Sequence, residues 1–189
     1  MRKQVAVVLI TSGLMALTAC GGSQNNDSPS TSSPSASASA AASTSATLDP
    51  QAQAKNEALK AYAAFWGEQV KAYAQADIQG TGLKKYATKT ALGGAMGDVL
   101  VMKKAGTATT GAPTHQAKVT ALTLSGDTPK ATIQDCMDIS NWKTVKRQSG
   151  QVQPFPTDQP LRYITSAKAE KWGTRWMITE LTPEGDRTC

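Results

Sequence analysis

Histidine is almost missing from this 189-residue chain: there is one, His115. Any Ser/His/Asp or Cys/His arrangement would have to use it, and no serine sits in a G-x-S-x-G turn. Lying beside Pro113 and Thr114 at the mouth of a loop, His115 reads as a surface residue. Two glycine clusters, Gly80-Thr81-Gly82 and Gly93-Gly94-Ala95-Met96-Gly97, lack the preceding strand and the Lys-Ser/Thr that a nucleotide site needs. No run of acidic residues has calcium-loop spacing, which leaves no metal or cofactor to expect. The longest apolar run, Val5–Leu17, is too short to span a bilayer, which takes about 20 residues. Basic residues are not interleaved with aromatics, so nucleic acid is not an expected partner. Lys84, Lys85, Lys89, Lys103 and Lys104 read as a solvated face, or as a contact for anionic envelope material.

What is present is first an export signal. Arg2-Lys3 and the apolar run to Leu17 form a charged n-region and a short h-region, ending in Leu17-Thr18-Ala19-Cys20-Gly21-Gly22. A cysteine at the expected cleavage point, behind Leu and small residues, resembles the lipobox of bacterial lipoproteins. That resemblance implies a signal peptide over 1–19 and a diacylglyceryl Cys20 as lipid anchor, with palmitate-type chains. The plain alternative is a secretory signal with an incidental cysteine. Losing Arg2 and Lys3 lowers the formal net charge from +6 to +4. Acyl chains hold by burying methylenes, about 0.8 kcal/mol each, so the remaining charge is not needed for attachment.

Residues 20–47 are the anchor cysteine followed almost wholly by Ser, Ala, Gly, Asn, Thr and Pro, with one charged residue, Asp27. Such a composition cannot bury enough apolar surface to offset its ordering entropy and is expected to be a disordered tether. A coil of that length reaches on the order of 30 Å. Ser/Thr with Pro in an exported chain also suits O-linked sugar. With Cys20 set aside, two cysteines remain, Cys136 and Cys189. In an oxidising compartment an even pair is most simply a disulfide, here pinning the C-terminus. Closing a loop of about 54 residues stabilises by roughly 4 kcal/mol on the chain-entropy argument. A metal pair or a reactive thiol are the alternatives, and no CxxC spacing supports either.

Residues 48–189 have the size of a single domain. Asp49-Pro50 is a helix start, a capping carboxylate followed by Pro at the first helical position. Leu59, Tyr62, Phe65, Trp66, Val70 and Tyr73 then recur at three- and four-residue steps, predicting an amphipathic helix of about seven turns. A second helical stretch carries Leu83, Tyr86, Ala87, Leu92, Met96, Val99, Leu100 and Met102, and Gly93, Gly94 and Gly97 are expected to weaken or split it. Residues 105–113 read as a loop. Five β-rich runs follow: 117–124, 131–139, 141–146, 161–171 and 174–181. Helices first and strands after them predict α+β, N-terminal helices packed on a curved antiparallel meander. Residues 143–160 read as a hairpin with a long, Pro-containing tip.

The elements Ala61-Tyr62-Ala63-Ala64-Phe65-Trp66, Ala131–Asp138 with Cys136 mid-strand, and Trp172-Gly173-Thr174-Arg175-Trp176-Met177-Ile178, closed by Cys189, are similar to small lipoproteins of actinobacteria. The resemblance covers nearly all of 48–189 and implies a nuclear transport factor 2-like (cystatin-like) cone. That fold hosts isomerases, dehydratases and non-catalytic binders alike, so it does not select an activity.

Period-two alternation puts Asp135 on the apolar face with Ala131, Ile133 and Met137. An acid there can serve a small-pocket isomerase or dehydratase together with a tyrosine. The bland reading pairs it with Arg162 or Arg175. Tyr62, Trp66, Asp135, Tyr163 and Trp176 are the candidate pocket residues, and Trp142, near a strand end, is the ring expected to be exposed. The leading expectation is a non-catalytic binding or protein-interaction module, lipid-anchored at the outer face of the cell membrane. Its partner would be an envelope protein or a small apolar ligand. A small-pocket enzyme using Asp135 and a structural envelope protein are the alternatives.

Overall fold

The computed structural model describes residues 49–189; the leader, Cys20 and the 20–47 segment lie outside the described residues. Helix α1 spans Pro50–Gln75 and begins as the sequence dictates, with the Asp49 carboxylate accepting from the Gln51 N–H at 3.3 Å. Its buried face carries Ala54, Ala58, Tyr62, Phe65, Trp66, Gln69, Ala72 and Tyr73. Small residues at the N-terminal end let the helix lie close, and the rings at the C-terminal end fill the wider part of the core. Each fully buried apolar side chain of Phe size contributes about 1.5–3 kcal/mol.

The second helical stretch does divide, but not at its glycines. Helix α2 is one turn, Leu83–Tyr86, and α3 runs unbroken over Lys89–Ala105 through Gly93, Gly94 and Gly97. The break lies at Ala87, which is extended and makes a parallel bridge to Ile178, while the Thr88 N–H donates to the Ile178 carbonyl at 2.9 Å. The chain is pulled out of helix to cover an open sheet edge. Helix α3 buries only its small side, Ala91, Ala95 and Val99, and leaves Met96 and Leu100 exposed. A Cβ at Gly93 or Gly97 would meet nothing within 4 Å. Replacing either by Ala is therefore expected to raise stability by about 0.5–1 kcal/mol, read as a higher midpoint in urea. A drop would show that the α3 glycines serve an approach to another surface.

Two sheets follow. The larger has the order β2-β3-β5-β6, from β2 (Thr114–Thr123), β3 (Lys130–Asp138), β5 (Arg162–Trp172) and β6 (Arg175–Thr188), antiparallel throughout. The smaller pairs β1 (Thr107–Thr110) with β4 (Lys143–Lys146). This corrects the sequence reading twice. Residues 107–110 are a strand and not loop, and 143–146 leave the meander to pair with them, so that β3 neighbours β5. Gly111 makes the smaller sheet possible: its φ is +75°, and a Cβ there would stand 1.9 Å from the Asn141 carbonyl oxygen. The expected hairpin over 143–160 is present in part. Its arms meet through the Val145–Val152 bridge and the Gln153 N–H to Thr144 carbonyl bond, after which 154–160 run irregularly.

The long strands are irregular where they bend. Thr120 is an extra residue between the paired Val119 and Ala121, and Thr179 is extra between Ile178 and Glu180. Trp176 and Ile178 join the core as alternation predicts, and Met177 and Thr179 are buried as well. Strand β6 also runs well past Leu181, to pair Thr188 with Tyr163. The core lies between α1, α3 and the face of the sheet carrying Ala131, Ile133, Met137, Ala167, Ala169 and Ile178.

Candidate functional site

Asp135 stands at the centre of β3 on the helix-facing side, with no solvent exposure. Tyr62, reaching across from α1, donates its hydroxyl to Asp135 Oδ2 at 3.0 Å. His115 Nδ1 lies 2.6 Å from the same oxygen, and the Gln116 N–H donates to Oδ1 at 2.7 Å. A carboxylate so surrounded is fully satisfied. The hydrogen on His115 is assigned to Nδ1 because the facing group is an acceptor. This replaces the expected partners: Arg175 is exposed, and Arg162 lies near Asp138 and donates to Cys136 Sγ on the outer face. It also corrects His115, which sits in β2 with a quarter of its side chain exposed, its ring 4.9 Å from that of Trp66.

Beside this cluster lies a pocket of about 210 Å³ between α1, α3 and the sheet. Trp66, Gln69, Tyr73, Asp98, Trp142 and Tyr163 are the lining residues with polar or aromatic chemistry. Tyr73 stacks on Trp142 at 5.6 Å and 13°, and Trp66 meets Trp142 edge-on at 5.9 Å. The Tyr73 hydroxyl donates to Asp98 Oδ2. Gln69 Oε1, Trp66 Nε1 and Trp142 Nε1 are buried and have no hydrogen-bond partner. Trp142, expected at the surface, thus belongs to the ring cluster, and Trp172 is the exposed tryptophan.

The five candidate pocket residues therefore separate. Trp66 and Tyr163 line the pocket, Tyr62 and Asp135 form the sealed cluster beside it, and Trp176 lines a different hollow with Glu57 and Tyr86. Gln69 and Asp98 were missed, while Tyr73, read as part of the apolar stripe of α1, also lines the pocket. Gln69 carried a signal, being a polar residue on the ring-bearing stripe of α1. Among the described residues, no group of three or more His, Cys, Asp or Glu is placed to hold a metal ion, and no helix is long and apolar enough to cross a membrane.

Burial, and next the facing Asp135, holds the Tyr62 hydroxyl protonated well above the ordinary tyrosine range. Burial, then the bond to Asp98, does the same for Tyr73. The unfolded chain loses these protons near pH 10 while the native state keeps them. The stabilisation is complete below pH 10 and falls as pH rises, by about 1.4 kcal/mol per pH unit for each tyrosine. Burial raises Tyr163 too; chemical denaturation at pH 10 and above should show this slope, and Tyr73→Phe should remove one tyrosine's share of it. A flat profile would mean that the two hydroxyls are not sealed.

No family model matches the chain, and no curated protein does. Among solved structures, the intermembrane space region of the chloroplast protein ARC6 is similar at 13% identity and a TM-score of 0.46, over 71% of this chain and 97% of that one.

Proposed function

We propose that the chain is a non-catalytic binding module held outside the cytoplasmic membrane by a lipidated Cys20, with its ligand site in the pocket between α1, α3 and the sheet. The observation that carries the reading is the contrast between the two polar clusters. Asp135, the acid best placed for chemistry, is sealed and saturated, whereas the hollow beside it is open and lined by Trp66, Tyr73, Trp142 and Tyr163 with the carboxylate of Asp98. Helices laid over one face of a bulged antiparallel sheet, with a pocket between the layers, support the nuclear transport factor 2-like cone.

Two experiments test the reading. Cells expressing the full chain and fed an alkyne fatty acid should label it, and Cys20→Ser should abolish the label; label retained by the variant removes the anchor. Small molecules co-purifying with the full chain should be lost in Gly94→Leu, whose side chain would project from a pocket-lining position with free space around its Cβ. Turnover in a metabolite screen, abolished by Asp135→Asn, would overturn the non-catalytic reading. One observation favours that second, isomerase- or dehydratase-like reading: the partly exposed His115 is oriented by Asp135 as a histidine is oriented by a carboxylate in acid–base catalysis.

A further inference from the structure

The pocket's wall narrows the class of occupant. Four aromatic residues line it, Trp66, Tyr73, Trp142 and Tyr163, and the sole ionisable carboxylate among its lining residues is Asp98. Among the described residues no lysine, arginine or histidine lines it, although the chain as a whole is basic. A wall of π-systems with one carboxylate is complementary to positive charge and repels an anion. The volume of about 210 Å³ lies below the roughly 300 Å³ at which drug-sized sites begin, so the occupant is small.

We infer that the pocket takes a small organic ammonium cation, set against Asp98 and the rings. The inference rests on the pocket being a ligand site. Its chemistry is non-covalent: an amine enters already charged and nothing is transferred.

The test uses calorimetric titration of the full-length chain with choline chloride and with 3,3-dimethylbutan-1-ol, its uncharged carbon counterpart. Choline should bind roughly tenfold more tightly, the difference expected for a cation held over aromatic faces. Asp98→Asn keeps an oxygen to accept from Tyr73 but removes the charge, and should erase most of that preference while leaving the alcohol's affinity unchanged. Gly94→Leu should weaken both ligands. Equal binding of the two would overturn the cation and leave the small-ligand pocket standing. Binding of neither would overturn both. Choline binding unaffected by Gly94→Leu would place the cation elsewhere and also overturn the inference.

Discussion

Replacing Asp135 by alanine should cost about 3–5 kcal/mol, as much as truncating a buried ring of the core. The reason is what remains behind. The Tyr62 hydroxyl, the His115 Nδ1 and the Gln116 N–H all converge on one carboxylate with no solvent exposure. Removing it leaves three donors facing a cavity, and each buried donor without an acceptor costs about 1–3 kcal/mol. Asp135→Asn keeps the shape and one acceptor and should cost less, about 1–3 kcal/mol. Tyr62→Phe removes one donor to a charged group and should cost about 1.5–3 kcal/mol. The double variant Tyr62→Phe/Asp135→Ala should lose less than the sum, because the phenol is no longer there to be stranded. Urea unfolding of the four variants measures these differences. A cost below 1 kcal/mol for Asp135→Ala would mean that water enters the site freely.

Asp135 also shows how far a sequence carries. Its burial was legible because a strand has period two: Ala131, Ile133, Asp135 and Met137 fall on one face whatever the rest of the chain does. Its partners were not, because they come from elements 20 and 73 residues away, and no local pattern states which strand lies next to β3. The same limit misplaced residues 143–146. Their β-propensity was readable, but their pairing with 107–110 depends on Gly111 letting two backbones meet. Helix α3 fails in the opposite sense. Its glycines carry the local penalty expected of them, yet the break falls at Ala87 and Thr88, where hydrogen bonds to Ile178 outweigh propensity. Caps and amphipathic stripes are local and were read correctly in α1, whereas the pocket assembles Gln69, Asp98 and Trp142 from three separate segments.

The second large effect is expected one residue from Asp135, on the opposite face of β3. Cys136 and Cys189 are joined across a sequence separation of 53 residues, with Cα atoms 5.9 Å apart. Thr188, the residue before Cys189, pairs with Tyr163, so the bond carries the end of β6 over β5 to the middle of β3. Closing a loop of that length removes conformations from the unfolded chain worth about 4 kcal/mol. Reduction with dithiothreitol, or Cys136→Ser/Cys189→Ser, should lower the melting temperature by roughly 10–20 °C for a domain of this size. Dithiothreitol should have no further effect on the double variant. A thermal scan that reductant leaves unchanged would show that the bond is open in the purified protein. The alternation of β3 adds a discriminating expectation. Cys136 points away from the helices, while its neighbour Met137 faces them and lines the pocket. Below its own melting temperature the double variant should therefore keep the ligand affinity of the parent, so that the bond stabilises the fold without shaping the site. A loss of affinity at temperatures where the variant is still folded would tie the end of β6 to the pocket through Leu181 and Pro183, which line it from that strand.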